Sequence, residues 1–518
     1  MWSLRLLEVD GAERPVVWWC GKVVRESGVG RWCGKVVWEG GAGRWCGKVV
    51  WEGGVGRWCG MVVREGGVGA FQSGRVPPSS ASGTLRSAES IRMNPPMHKR
   101  EFLKSLGGTT IAAMLPALVG PALSTRAANL SAFELARDEE FWTALRGKYR
   151  LNPDYINLEN GYYSMMAQPV LEAYLEHIRA VNYRAAHYMR RSADSERELS
   201  RAALARVAGC DVEELAITRN TTESLDLVFA GHDWRQGDEV VFAEQDYGTM
   251  QSMLELLAAR HGIVCRRVSV PLDPKSDAEL VELYAAAFTP RTRLLLVPHM
   301  INITGHILPV AKIAARAHEQ GIFVAVDGAH AFAHLEFRIP DLGVDAYAAS
   351  LHKWLGCPLG AGLLWVKKSR IEELWPLIAP PANRAKGDIR KLNHLGTHPV
   401  QTDLGLRDAI AFHEEIGIAR KEARLRHLKQ YWLTRLVGQP RIRINTPSDP
   451  ARSCGIGNVG IEGLRTAELE KRLFEEHRIF VVGIDTAGVD GVRVTPHLYT
   501  TESELDRFVD AMRRLAAG

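Results

Sequence analysis

Five short apolar runs in this chain each end in polar residues of mutually compatible chemistry. After LAIT (215–218) comes Arg219-Asn220-Thr221-Thr222-Glu223, and after EVVFA (239–243) comes Glu244-Gln245-Asp246-Tyr247. RLLLVP (293–298) leads to His299-Met300-Ile301-Asn302, IFVAV (322–326) to Asp327-Gly328-Ala329-His330, and DAYAA (345–349) to Ser350-Leu351-His352-Lys353-Trp354. Each group alone has an ordinary explanation: Thr221-Thr222 as a helix cap, Asp327 as the cap after a strand, Ser-x-His-Lys as a solvated turn. In an open α/β sheet, however, ligands collect where the strands end. Backbone and hydroxyl donors at a helix N-terminus suit a phosphate dianion. A carboxylate suits a protonated pyridine nitrogen, and a lysine amine suits an aldehyde, with which it forms an imine. Pyridoxal 5′-phosphate carries all three groups.

The residues that bear this chemistry also resemble a known family. VDGAHA (326–331), with SLHKW (350–354) beginning 23 residues after Asp327, resembles the class V aminotransferase group of fold-type I pyridoxal-phosphate enzymes, over about Tyr155 to Val509. The resemblance implies that Lys353 holds the cofactor and that Asp327 keeps its ring nitrogen protonated. It implies phosphate or ring contacts from Thr221, Thr222, Ser350 and His352, partners of the ring hydroxyl in Asn302 and His330, and Tyr247 over the ring, where desulfurases carry His. Thr397 in LGTHPVQ resembles the residue that reaches the phosphate of a partner subunit, which implies a homodimer with shared active sites. Arg493, in GVRVTPHLYTTESELDRFV (491–509), is the candidate clamp for a substrate carboxylate, since a planar guanidinium meets a carboxylate with two parallel hydrogen bonds.

INLENGYYSMMAQPV (156–170) is similar to the isopenicillin N epimerase-like branch and puts Asn160, Gly161 and Tyr162 at the entrance to the substrate site. The activity implied is epimerase- or aminotransferase-like chemistry at Cα of an amino acid or a derivative of one. A lyase acting on C–S or other β-bonds is the alternative, and a non-catalytic binding protein of the same fold is a third reading. A desulfurase needs a thiol shortly before the carboxylate-binding Arg, and residues 478–492 contain no cysteine.

The elements that must position these residues alternate in type. Strand-like runs at 239–243, 263–268, 293–298, 322–326, 346–350 and 362–366 alternate with helical patterns at 250–259, 278–287 and 310–320. That is the plan of a mostly parallel sheet, an α/β fold. Longer helices at 405–416 and 419–437, a strand-like piece at 455–461 and a closing helix at 502–517 predict a smaller C-terminal α+β domain. The expected division is a leader at 1–92 outside the fold, a signal segment at 93–129, an N-terminal arm and helix at 130–190, a large cofactor domain at 191–396 and a small domain at 397–518.

With 518 residues, 46% hydrophobic, the chain can bury a large core. Its net charge of +5 lies wholly in residues 1–92, with 13 Lys and Arg against 8 Asp and Glu; residues 93–518 are neutral. A neutral body lacks the clustered cations that nucleic acid requires, so the expected partner is a small molecule, which the family resemblance implies is amino-acid-like. Cys20, Cys33, Cys46 and Cys59 recur every 13 residues in the leader, whereas Cys210, Cys265, Cys357 and Cys454 are scattered. The scattered cysteines have neither disulfide nor metal-ligand spacing, and no metal is expected. The Trp-Cys-Gly repeat, if translated, would pair as short hairpins or bind metal; the plainer reading is translated repetitive DNA upstream of a start at Met93 or Met97. HKREFLK followed by a Gly- and Ala-rich apolar stretch resembles a twin-arginine export signal with Lys99 in place of the first Arg, cut or retained around 125–129, which implies a periplasmic or exported protein; the alternative is a cytoplasmic enzyme with an unstructured leader. Pro116, Pro121 and the glycines make that stretch a poor permanent membrane anchor.

Overall fold

The computed structural model describes residues 120–518 and, by backbone alone, four strands of the leader; it divides into units at 1–108 and 109–518. In the first unit β1 (Val16–Arg25), β2 (Gly28–Glu39), β3 (Ala42–Trp51) and β4 (Gly54–Val63) pair antiparallel in chain order. Each repeat contributes one strand, and the register sets Cys20 opposite Cys33 and Cys46 opposite Cys59. This is the hairpin arrangement that the repeat allows. Most of the proposed signal, 93–119, lies outside the described residues.

In the second unit α1 (Pro121–Asn129) docks on the body through Arg126, which bonds Asp138 at 2.6 Å and Glu140 at 2.7 Å. The short α2 (Ala132–Leu135) and α3 (Glu139–Arg146) lead to β5 (Ile156–Asn157), α4 (Gln168–Arg191) and α5 (Ala193–Ala208). The central sheet comprises β6 (Leu215–Thr218), β7 (Glu239–Ala243), β8 (Val264–Val268), β9 (Thr292–Pro298), β10 (Phe323–Asp327), β11 (Ala346–Ser350) and β12 (Gly362–Val366). Its order is β6-β12-β11-β10-β9-β7-β8, parallel except for β12, which runs against both neighbours.

Both faces of this sheet are covered, which is why its strands read as continuous apolar runs rather than as alternation. Val241, Leu295, Val324 and Ala349 point into a core closed by α5, α8 (Asp277–Ala285) and α9 (Val310–His318). The alternate residues Val240, Leu294, Ala325 and Ala348 point into a second core under α6 (Thr221–Gly231) and α7 (Gly248–His261). The next helix, α10 (Val400–Ile416), sends Leu406, Ala409 and Ile410 into the first core, although it follows residue 397.

The C-terminal part holds α11 (Ile418–Leu436), β13 (Ile442–Ile444), β14 (Gly457–Ile461), α12 (Thr466–His477), β15 (Ile479–Phe480), β16 (Val482–Thr486), β17 (Val489–Val494) and α13 (Glu502–Ala517). Its antiparallel sheet is ordered β13-β14-β17-β16. Its core draws Ile156 and Leu158 from the N-terminal arm, because β5 pairs with β15. Among the described residues no helix is long and apolar enough to cross a membrane.

Candidate active site

The carboxyl ends of β6, β7, β9, β10 and β11 open on a cavity of about 340 Å³. Gly161, Tyr162, Thr221, Thr222, Tyr247, Asn302, Asp327, His330, Ser350, His352, Lys353 and Arg493 all line it. Two of the expected residues do not. Asn160 is buried behind the wall, where its amide donates to Thr495 O at 2.8 Å and accepts from Tyr499 Oη at 2.6 Å, so it holds the Gly161 turn in place rather than forming the entrance. Thr397 is exposed on a separate cavity with Arg190, Arg384 and His394 and does not reach the site of its own chain.

At one end lies a cradle of donors. Asn220 caps α6 by accepting from Glu223 N at 2.8 Å, and this points the first backbone N–H groups of the helix at the cavity. Ser350 Oγ, at the end of β11, accepts from Thr221 N at 2.9 Å and lies 2.8 Å from Thr221 Oγ1, which ties the two loops together. The loop approaches β12 so closely that a Cβ on Gly362 would lie 2.6 Å from Asn220 N. A helix N-terminus ringed by hydroxyls is an anion site.

Asp327 ends β10. Its Oδ1 accepts from Ala329 N at 2.9 Å, and burial raises its pKa while Lys353 opposes that rise. The residue after it has to be glycine, since a Cβ on Gly328 would stand 2.1 Å from the Tyr347 ring. Opposite, Lys353 Nζ lies 3.0 Å from His330 Nε2, and Trp354 Nε1 donates to His330 Nδ1 at 3.4 Å. With Nδ1 accepting, a neutral imidazole carries its proton on Nε2 and donates it to the lone pair of an uncharged Lys353. Burial drives both groups the same way: Lys353 falls to about 8, and His330 falls well below its ordinary value. His330, expected at the cofactor's ring hydroxyl, meets the reactive amine in the same cavity. The lysine turn is braced from outside by Ser164, whose backbone N donates to His352 O at 3.1 Å and whose hydroxyl donates to Lys353 O.

The donor set fits pyridoxal phosphate. The cradle suits the phosphate, Asp327 keeps one carboxylate oxygen beyond its bond to Ala329, the Lys353 amine lies in the same cavity, and His352 Nδ1 is buried without a partner. Arg493 differs from expectation. Its Nε and Nη2 already hold Glu159 at 3.1 and 2.5 Å, and its Nη1 donates to Asn302 O at 3.1 Å. Glu159 went unnoticed in the sequence, though it is the one acid in the LENGYY run. Arg219, Asn220, Met250 and Leu359 also line the cavity; the last two are apolar wall residues, whose type carries no signal of a site.

Residues 160–508 match the family Aminotransferase class-V. The chain belongs to that family. It is 31% identical over 396 residues to an isopenicillin N epimerase of Streptomyces clavuligerus, covering 72% of this chain and 98% of that protein. It is 25% identical over 383 residues to a cysteine desulfurase of Haloferax volcanii, covering 69% and 88%. A solved structure of a C-DES variant with glycine covalently linked to its pyridoxal-phosphate cofactor superposes with a TM-score of 0.65 at 25% identity, over 72% of this chain and 98% of the other.

Proposed function

We propose that this protein is a pyridoxal-phosphate enzyme that moves a proton at Cα of an amino acid or an amino-acid derivative, in the manner of an epimerase or an aminotransferase. The single observation that carries the reading is the Lys353 amine, held 3.0 Å from His330 Nε2 in the same cavity as Asp327 and the Thr221–Ser350 cradle. When bound, pyridoxal phosphate supplies the electron sink that makes the Cα proton removable.

The chain's own groups supply the rest. Thr221, Thr222 and Ser350 hold the phosphate. Asp327 keeps the ring nitrogen protonated, and the buried setting of both groups strengthens that pairing. Lys353 would hold the aldehyde, and its free amine would take or return the proton at Cα. A lysine pulled down to about 8 serves as a base near neutral pH, where an ordinary lysine is almost wholly protonated. The Nε2–H of His330 holds the amine in place and favours its uncharged form.

A C–S lyase is the second reading, favoured by the desulfurase relative. Against transfer of the sulfur through an enzyme thiol, no cysteine among the described residues lines the cavity, and Cys357 and Cys454 are buried with thiol pKa values raised by burial. The exposed Thr397 and the basic cavity beside it support a homodimer in which each chain completes its neighbour's phosphate site. The KREFLK segment supports export of the folded holoenzyme, with the mature chain starting near α1.

The test is incubation of the loaded enzyme with a panel of amino acids in deuterated water, with Cα deuterium read by mass spectrometry. Exchange without sulfide or pyruvate release supports the Cα reading. Release of sulfide or pyruvate without exchange into recovered substrate selects the lyase.

A further inference from the structure

The carboxylate of Glu159 occupies the Nε–Nη2 side of the Arg493 guanidinium, the residue expected to clamp a substrate carboxylate. Both side chains are buried, and the pair is bidentate. Glu159 is not on a mobile loop. Its backbone forms a parallel bridge with Thr495, and Oε1 also accepts from Tyr162 N at 2.9 Å, which locks it to the turn at the cavity mouth. Gly161 leaves room for the pair, since a Cβ there would stand 3.2 Å from the guanidinium carbon. The cavity's other cations are likewise engaged. Arg219 is tied to Glu223 at 3.1 Å, Lys353 is reserved for the aldehyde, and burial lowers the pKa of both His330 and His352.

We infer that Glu159 is a specificity-determining residue: by neutralising Arg493 it turns this part of the site from a receptor for a free α-carboxylate into one for an uncharged carbonyl. The substrate class is then an amino acid whose carboxyl group is masked as an amide or peptide. This rests on the proposed chemistry at Cα.

The physical argument is one of distances. A carboxylate seated on the remaining N–H bonds of Arg493 would lie roughly 4 Å from that cation and roughly 6 to 7 Å from the Glu159 carboxylate. Because the Coulomb energy falls as 1/r, repulsion cancels about three-fifths of the attraction. The ligand would still lose its full hydration on entering. An amide carbonyl accepts the same hydrogen bonds with little of either penalty, and Nη1 and Nη2 each retain a second N–H to offer it.

The experiment titrates pyridoxal-phosphate-loaded protein with glycine and with glycinamide, in which the carboxylate is masked as an amide, and reads each dissociation constant from the visible spectrum. Each ligand is compared with itself across wild type, Glu159→Gln and Glu159→Asp, so the differing basicity of the two amines cancels. Glu159→Gln should tighten glycine about tenfold or more and change glycinamide by no more than about twofold, while Glu159→Asp keeps the wild-type pattern. Weakening of both ligands in both variants would mean that Glu159 only supports the fold, and would overturn the inference. Equal effects of Glu159→Gln on the two ligands would overturn it as well. If neither amine perturbs the wild-type cofactor spectrum, the reading of the site at Cα fails, and the inference fails with it.

Discussion

Replacing Asp327 with Asn should make the apoprotein capture pyridoxal phosphate faster at neutral pH while crippling turnover. Burial holds Lys353 down to about 8, and the negative charge of Asp327 is the first influence opposing that fall. Asn keeps the shape and the acceptor for Ala329 N but removes the charge. Loss of an opposite charge at close range moves a lysine by 1 to 3 pH units, and taking the low end puts Lys353 near 7. At pH 7 the uncharged fraction of the amine then rises from about one-tenth to about one-half, a gain of about fivefold in the rate of the covalent step. Turnover should move the other way, because the protonated ring nitrogen loses its counter-charge. A charge-assisted hydrogen bond worth about 3 kcal/mol corresponds to a fall in kcat of about 150-fold. The assay is stopped-flow absorbance of apoprotein mixed with saturating cofactor from pH 6 to 9.5, in wild type and variant. A midpoint that stays at 8 or rises in Asp327→Asn would refute the electrostatic coupling of the two residues.

Three further outcomes follow from the packing. Gly328→Ala drives a methyl group into the Tyr347 ring, so it should cost at least about 2 kcal/mol and displace Asp327, seen as a lower Tm together with loss of bound cofactor. Lys421 on α11 is buried with its ammonium on Trp354 O, and burial lowers it to about 7. The unfolded chain therefore binds the extra proton between about pH 7 and 10.5, stability rises with pH across that window by up to about 1.4 kcal/mol per unit, and Lys421→Met should flatten the rise in urea titrations. Mixing the inactive variants Lys353→Ala and Thr397→Ala should restore part of the activity in heterodimers; no recovery in subunits shown by sedimentation to exchange would exclude shared sites.

The sheet was legible because a strand covered on both faces must be a short apolar run, and β7, β11 and β12 begin and end where those runs do. Most residues that line the cavity were legible because they follow such a run within a few positions, so a local pattern was enough. What stayed hidden depends on contacts between distant parts of the chain. Glu159 meets Arg493 across 334 residues, a pairing that exists only because the N-terminal arm joins the C-terminal core. Asn160 looked like an entrance residue because its neighbours Gly161 and Tyr162 are, but Tyr499 and Thr495 claim its amide from behind. The reversed β12 gave no sign of its direction, since buried parallel and antiparallel strands share one composition.

The most direct test of the account is to trap the cofactor on its lysine. Protein loaded with pyridoxal phosphate should be yellow; after borohydride reduction and proteolysis, the pyridoxyl mass should fall on Lys353 alone and vanish in Lys353→Ala. Label on Lys421 or any other lysine, or none in a protein that still turns over its substrate, would contradict the assignment of this cavity as the active site.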